Sequence, residues 1–513
     1  MPVAPMTATV RRVGLWLAAG VLAVYASTAG GSLTSIDAVM TYEVTKSLVS
    51  HGSTAFDRPG INNHPGVDGR FYSPFGIGQS LFNVPFYLAA RAAERHLGVR
   101  VGRSDTLEKA GVAMGSTVAA TGAVWVVFLF AWRLAGRLDA AVATALTCAF
   151  GTLLWPYSKF GFNQALTAWC LTAGIYAAWL GVRASRRGVL FWSGVWLACA
   201  FLTRHEMALA AAVVAVWVAA ESRADRREGA ARLACVATPL LCAVVFWLWY
   251  NAVRFGHPLD TGNLGPAEAV DDQHFSFSGA TLAGVAGLLF SPGRALFLYA
   301  PVAAACLASI PSLARRDRSL AWLIVGAFTS LLVLYGSLRY WDGLRGYGPR
   351  YLVPLLPLLT VPLALWVRRG RTRLKCLIVA SVLVQLPGIL VDFSKVSVEH
   401  ARTVENYTRD AKIYSLRESA LVLNAEASVT AVPDNVGYLL RRERPAAVSE
   451  PADEGDGGFA QRFAFSLDFW WLYLYYLGVL SASTATCLGL VPLAAGLTLL
   501  WLARRASLKA PTG

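Results

Sequence analysis

The sequence predicts an all-α polytopic membrane protein of about twelve transmembrane helices, and three observations carry that expectation. Of 513 residues, 56% are hydrophobic and only 15% charged, where a soluble domain averages about 25% charged. Apolar runs of about 17 to 22 residues recur from end to end, the length a helix needs to cross hydrocarbon while bonding its backbone internally. The basic residues stand in short clusters between those runs. The net charge of +15 therefore reads as a topology signal rather than a nucleic-acid surface, and no nucleic-acid partner is expected.

The first run, Val13 to Ala29, follows Arg11 and Arg12 and lacks a small-x-small cleavage site, so it reads as a retained first helix. Further spans are expected near 111–131, 140–155, 164–182, 189–203, 206–221, 233–251, 295–313, 320–337, 351–367, 374–391 and 483–502. The stretch Ser73 to Gly98 is nearly long enough to cross. It reads as an interfacial helix, with Tyr87, Arg91 and Arg95 toward the headgroups, because counting it as a span would invert the following loops. All eight cysteines fall in apolar runs without metal-ligand spacing and read as small buried hydrophobes.

With a cytoplasmic N-terminus, 22 basic residues collect in seven cytoplasmic segments, from Arg11/Arg12 and Arg133/Arg137 through to Arg504/Arg505/Lys509. The short outer loops carry only Lys159, Arg204, Arg254, Arg294, Arg339, Arg345 and Arg350, so the positive-inside rule selects this orientation in the inner cell membrane. The outer face then owns the long regions Gly31 to Ala110, Ala252 to Arg294 and Asp392 to Asp468. Three units follow: a transmembrane module over 1–391 with its outer loop 31–110, an outer loop or small subdomain over 392–468, and 469–513. The second holds the acidic, Gly-rich run Glu450 to Gly458, read as a flexible loop. The third opens on the aromatic run Phe469 to Tyr476, which suits a membrane interface, and ends in the last helix and a basic tail.

There is no P-loop and no Gly-rich dinucleotide fingerprint. Polar groups on the outer face cannot draw on cytoplasmic nucleotides, so an activated substrate has to arrive on a carrier in the membrane. In the first outer loop, Ser35 is placed to cap an amphipathic helix along the surface, with Val39, Tyr42, Lys46 and Val49 at helical steps. Asp37, in its first turn, is the acid nearest the membrane. A carboxylate held there can accept the proton of an attacking hydroxyl, and it equally suits a first-turn acid favoured by the helix dipole. Glu43 and Asp57 follow as further acids, and Arg70 and Tyr72 stand near a Gly- and Pro-rich turn. A departing phosphate needs cations at headgroup depth, for which Arg204, Arg294, Arg345 and Arg350 are the candidates. Trp341, Tyr347 and Tyr351 suit a wall, and Gly343, Gly346 and Gly348 a tight rim.

The segments SIDAVMTYEVTKSLVSHG, DGRFYSPFGIGQSLFNVPFYL, FGTLLWPYSKFGFNQALTAW, AFLTRHEMAL, LLFSPGRALFLYAPV and YWDGLRGYGPRYLVPLLPLL together resemble the GT-C superfamily of polytopic glycosyltransferases. Within it, they are most similar to relatives of the protein O-mannosyltransferases and the lipid A aminoarabinose transferases. The resemblance covers most of the chain. It implies an inverting transfer, outside the cytoplasm, of a sugar from a polyprenyl-phosphate donor to a hydroxyl on a glycan, lipid or protein. It implies Asp37 as general base and Arg204, with Arg350, as contacts for the lipid phosphate. Many relatives carry two adjacent acids after the first helix, whereas Asp37 is followed by Ala38. A divalent metal is thus left open, with Glu43 or Asp57 as the second carboxylate. A flippase of lipid-linked saccharides, and a glycan polymerase or ligase, are the alternatives.

Overall fold

Helix α1 (Ala8–Ser27) starts where the Thr7 hydroxyl accepts the Val10 amide, which meets one of the donors a helix start leaves open. The computed structural model describes residues 6–31, 33, 35–56, 64–97, 106–262, 277–343, 346–367, 372–404, 407–445 and 466–510. After α1 come α2 (Ile36–His51), the two-residue strands β1 (Ala55–Phe56), β2 (His64–Pro65) and β3 (Phe71–Tyr72), and α3 (Ile77–Leu97). Next are α4 (Thr106–Ala135), α5 (Leu138–Phe150), α6 (Asn163–Arg183), α7 (Arg187–Thr203), α8 (Ala208–Glu221) and α9 (Arg226–Phe255). Then follow α10 (Thr281–Phe290), α11 (Leu296–Tyr299), α12 (Val302–Arg316), α13 (Arg318–Ser337), α14 (Leu356–Thr360) and α15 (Thr372–Leu390). The chain closes with α16 (Phe393–Thr403), α17 (Arg409–Tyr414), α18 (Ala420–Arg441), α19 (Trp470–Tyr476) and α20 (Ala482–Lys509).

Among the described residues, seven helices are long and apolar enough to cross a membrane: α1, α4 from Leu107, α6, α9, α13, α15 and α20. Their outward faces are apolar. On α9, Leu241, Val245, Trp249 and Val253 recur at four-residue steps and are all exposed, which is a stripe for lipid rather than for water. The protein is a polytopic helical membrane protein. The twelve expected spans do not become twelve long helices, and the departures have local causes. The 140–155 span stops at Phe150, where Gly151 and Pro156 follow. The 295–313 span breaks into α11 and α12 at Ala300 and Pro301. The 351–367 span alternates 3₁₀ and α turns around α14, because Pro354, Pro357 and Pro362 withhold backbone donors.

α1 packs on α20 and α4, α4 on α5 and α6, α6 on α7, α7 on α9, and α13 on α8, α10 and α12. Small residues permit close approaches: a Cβ on Gly194 would strike the Val236 carbonyl of α9. The basic clusters meet at one end of the bundle. There Arg183 pairs with Glu221 at 3.0 Å and Asp317 at 2.7 Å, and Arg504 reaches the Asp139 carbonyl at 2.9 Å.

The opposite end carries the loops and the C-termini of α1, α5, α7, α9, α13 and α15. Its sheet has the order β1-β3-β2, all antiparallel, with Ala55 opposite Tyr72 and Pro65 opposite Phe71. Arg254, at the end of α9, anchors this flap by donating to the Ser73 carbonyl at 2.6 Å, while its own carbonyl takes the Val67 amide at 3.0 Å. Helix α3 is not among the helices that qualify as spans. It runs antiparallel beside the start of α4, with Ala90 against Gly111 and Phe86 against Gly115.

Two segments take shape beyond what the sequence showed, and the expectation for the cysteines is corrected. The aromatic run is α19, with Trp471, Leu472, Tyr473, Tyr475 and Tyr476 buried against protein. Its indoles are needed inside: Trp470 and Trp471 donate to the Ala26 and Ser27 carbonyls at 2.8 and 2.9 Å, capping the end of α1. The described part of region 392–468 is largely helical, with α18 packed on α15, α16 and α20, and the run Glu450 to Gly458 lies outside the described residues. Of the cysteines, Cys148, Cys170 and Cys306 are buried, but Cys199, Cys242, Cys376 and Cys487 are exposed on helix faces.

Candidate active site

Asp37 stands in the first turn of α2 because the Ser35 side chain accepts the Ala38 amide at 3.1 Å. The helix is not a one-sided surface helix. Met40, Thr41, Tyr42, Val44, Thr45 and Ser47 are buried around more than half its circumference, so its start is held firmly. The loop before it is gripped as well. A Cβ on Gly30 would meet Asp468 and Phe160, one on Gly31 would meet Tyr473, and Gly161 seats against Leu33 and Ala38 with a φ of +71°.

Arg350 comes 313 residues later and lies 3.5 Å from the Asp37 carboxylate. Its turn follows the tight path of the glycines: a Cβ on Gly343 or Gly346 would strike the Arg350 side chain. Beneath that path Arg294 is buried and donates to the Gly346 carbonyl. Arg294 thus shapes the loop that carries Arg350. The Arg350 guanidinium also lies 5.2 Å from the Tyr351 ring, and Arg204 faces the same ring at 5.5 Å. Two cations from distant segments therefore approach one aromatic side chain, and one of them, Arg350, also faces Asp37.

Arg204 sits at the end of α7, only 7% exposed. Its Nε donates to Glu206 at 2.7 Å and its Nη1 to the Asn163 side chain at 3.4 Å, and the Tyr335 hydroxyl approaches the same Glu206 oxygen at 3.3 Å. Burial works against the Glu206 carboxylate, but Arg204 outweighs it and the Glu206 pKa falls. Burial likewise opposes the Arg204 cation, and Glu206 more than restores it. Both stay charged in a poorly solvated place, as a paired buried charge must.

The other predicted residues divide. Arg70 and Tyr72 are engaged on the flap by Asp68, at 2.8 Å each, and these bonds bring the Asp68 pKa down to about 2. Glu43 follows Asp37 by six residues, which puts it about 9 Å along α2 and on another side of the helix. Asp57 and Arg345 lie outside the described residues. Trp341 is buried against Gly287 and Tyr347 donates to the Val384 carbonyl, so of the expected aromatic wall it is Tyr351 that meets the two arginines. Among the described residues, no group of three or more His, Cys, Asp or Glu side chains is placed to hold a metal ion.

Sequence reasoning missed a second feature. Lys159, Asp392, Lys395 and Asp468 are all buried at this end of the bundle. Lys159 lies 3.3 Å from Asp468 and donates to the Ile389 carbonyl; Lys395 lies 3.6 Å from Asp392 and 2.5 Å from the Tyr473 hydroxyl. Burial pushes the Asp392 carboxyl up and the Lys159 ammonium down. The available signal was position: Asp392 ends one apolar run and Asp468 begins the aromatic one. The segment from Tyr157 to Gln164 is the hub. It supplies Lys159, Gly161 and Asn163, and Tyr157 donates to the Tyr347 carbonyl at 3.3 Å.

No protein-family model and no curated protein matches the chain. Solved structures are similar to it. Against ArnT from Cupriavidus metallidurans bound to undecaprenyl phosphate, identity is 16% over 96% of this chain and 76% of that one, with a TM-score of 0.48. Against the apo state of that protein the values are 15%, 98%, 77% and 0.46. Against the archaeal oligosaccharyltransferase AglB from Archaeoglobus fulgidus, in complex with an inhibitory peptide and a dolichol-phosphate, they are 10%, 93%, 64% and 0.46.

Proposed function

We propose that this protein is a GT-C-type glycosyltransferase that moves a sugar from a polyprenyl-phosphate donor to an acceptor hydroxyl, with inversion, on the non-cytoplasmic side of the membrane. The observation that carries the reading is the meeting of Asp37 and Arg350 at 3.5 Å, with Arg204 near the same Tyr351 ring. An acid and two cations at one end of a helical bundle are what this displacement needs. The acceptor oxygen forms its bond to the anomeric carbon as the bond from that carbon to the phosphate oxygen breaks. Asp37 takes the hydroxyl proton, and the lipid phosphate leaves with its charge held by Arg350 and Arg204. One Asp37 oxygen faces Arg350, which leaves the other for the acceptor.

The positive-inside rule, applied to the basic clusters at the other end, supports the reading that this end faces outside. A flippase would be expected to carry ionisable groups at mid-depth in several spans, whereas these collect at one end. A polymerase or ligase would use the same groups and differ in the size of what it moves.

The deciding experiment reconstitutes the purified protein and its Asp37→Asn variant with polyprenyl-phosphate sugars and scores transfer. The variant is expected to keep the wild-type melting temperature and lose transfer by about 10²- to 10⁴-fold. Near-normal transfer would remove Asp37 from the mechanism.

A further inference from the structure

Helix α6 begins at Asn163 without a side-chain cap and without an acid in its first turn. The start is buried: Phe162 is 1%, Asn163 8% and Gln164 0% exposed. A helix start carries about half a positive charge on its open amides. Uncapped and out of water, such an end is costly unless something negative meets it. Gln164, in that first turn, has both its amide oxygen and its amide nitrogen buried without a hydrogen-bond partner. Side chains lean toward the start of their own helix, so this orphaned amide belongs to the same end.

The surroundings are cationic. Arg204 donates to Asn163. The turn opened by Arg350 packs on α6, and the Tyr157 ring lies 5.3 Å from that of Phe162 with its hydroxyl against Gly346 beside Arg350. Glu206 balances Arg204 and Asp37 faces Arg350. Nothing negative among the described contacts is left for the helix end.

We infer that the start of α6, through its open amides and the Gln164 side chain, forms the third wall of a phosphate site with Arg204 and Arg350, and that its ligand is the phosphoryl group of a long-chain prenyl lipid. This deepens the proposed function and rests on it. Arginines supply charge, whereas backbone amides supply fixed donors that need no rearrangement as negative charge grows on the leaving oxygen.

The test uses the full chain in lipid nanodiscs and measures binding of undecaprenyl phosphate, with inorganic phosphate and phosphatidylglycerol vesicles as parallel probes. Gln164→Glu nearly keeps the shape but sets a carboxylate at the helix start. It is expected to hold or raise the melting temperature while weakening prenyl phosphate binding about tenfold. A purely structural glutamine would move both quantities in the same direction, and unchanged affinity would overturn the inference. Gln164→Met, which removes the donor without adding charge, is expected to weaken binding several-fold and settles the matter if the glutamate variant does not fold. Gln164-dependent binding of inorganic phosphate as tight as that of the prenyl lipid would keep the anion site but overturn its assignment to a lipid. Phosphatidylglycerol binding as tightly would overturn selectivity for a prenyl chain. Arg204→Gln is the reference. If it weakens binding and Gln164→Glu does not, the inference fails and the proposed function stands; if wild type binds no prenyl phosphate, both fail.

Discussion

His205 shares its turn with Arg204 and completes a triangle of rings with Phe201 and Trp247, at 5.7 and 5.2 Å. Burial lowers its pKa from 6.5 to about 4, with Arg254 and Arg204 acting in the same sense and Glu206 against it. The folded state thus keeps the ring neutral, whereas an unfolded chain takes up a proton below about 6.5. The stability this contributes is complete above that pH and is lost as pH falls toward 4. The melting temperature should therefore drop across that window, and His205→Phe should flatten the drop; an equally steep profile would clear His205 of the effect. At this scale the sequence was partly legible. Asp37 and Arg350 stand out because charges beside apolar runs are costly, but their pairing spans 313 residues and no local pattern encodes it. Arg294 reads the same way in the sequence, yet packing spends it on the Gly346 carbonyl. Asn163 and Gln164 are invisible to such reasoning, since neutral amides are common at helix starts.

At the level of elements, α19 shows what composition leaves open. Eight residues of FWWLYLYY satisfy an interfacial pattern, but the end of α1 leaves carbonyls that need donors away from water, and the indoles of Trp470 and Trp471 provide them. Trp471→Phe should strand the Ser27 carbonyl and cost about 1 to 3 kcal/mol, read as a lowered melting temperature, whereas Trp249→Phe on the lipid face of α9 should change little. Equal effects would mean that the indole bond contributes nothing special. The long regular spans were legible because their apolar runs are uninterrupted. α18 was not, since Asn424, Glu426, Pro433 and Asp434 make it look like a loop until tertiary packing on α15 and α20 supplies the missing stability.

On the scale of the whole molecule, the buried charges tie the end of the chain to its beginning, for Asp468 pairs with Lys159 and abuts Gly30. Asp468→Asn should destabilise strongly, by about 3 to 5 kcal/mol, because Lys159 would be left buried without its partner. Adding Lys159→Met should recover much of that loss; a double variant no better than the single one would show that the pair is not coupled. The fold class was readable from composition and charge alone, while the clasp that closes it was not. That clasp bears on how the protein is made. The indoles that cap α1 lie 444 residues downstream, so at about 5 to 20 residues per second the ribosome needs about 20 to 90 s to deliver them. For that interval the end of α1 lacks those indole caps, and the loop before Asp37 lacks its contacts with Asp468 and Tyr473. Two fragments split between α9 and α10 should therefore have to associate in the membrane before Asp37 can meet Arg350, and co-purification of the tagged halves checks this.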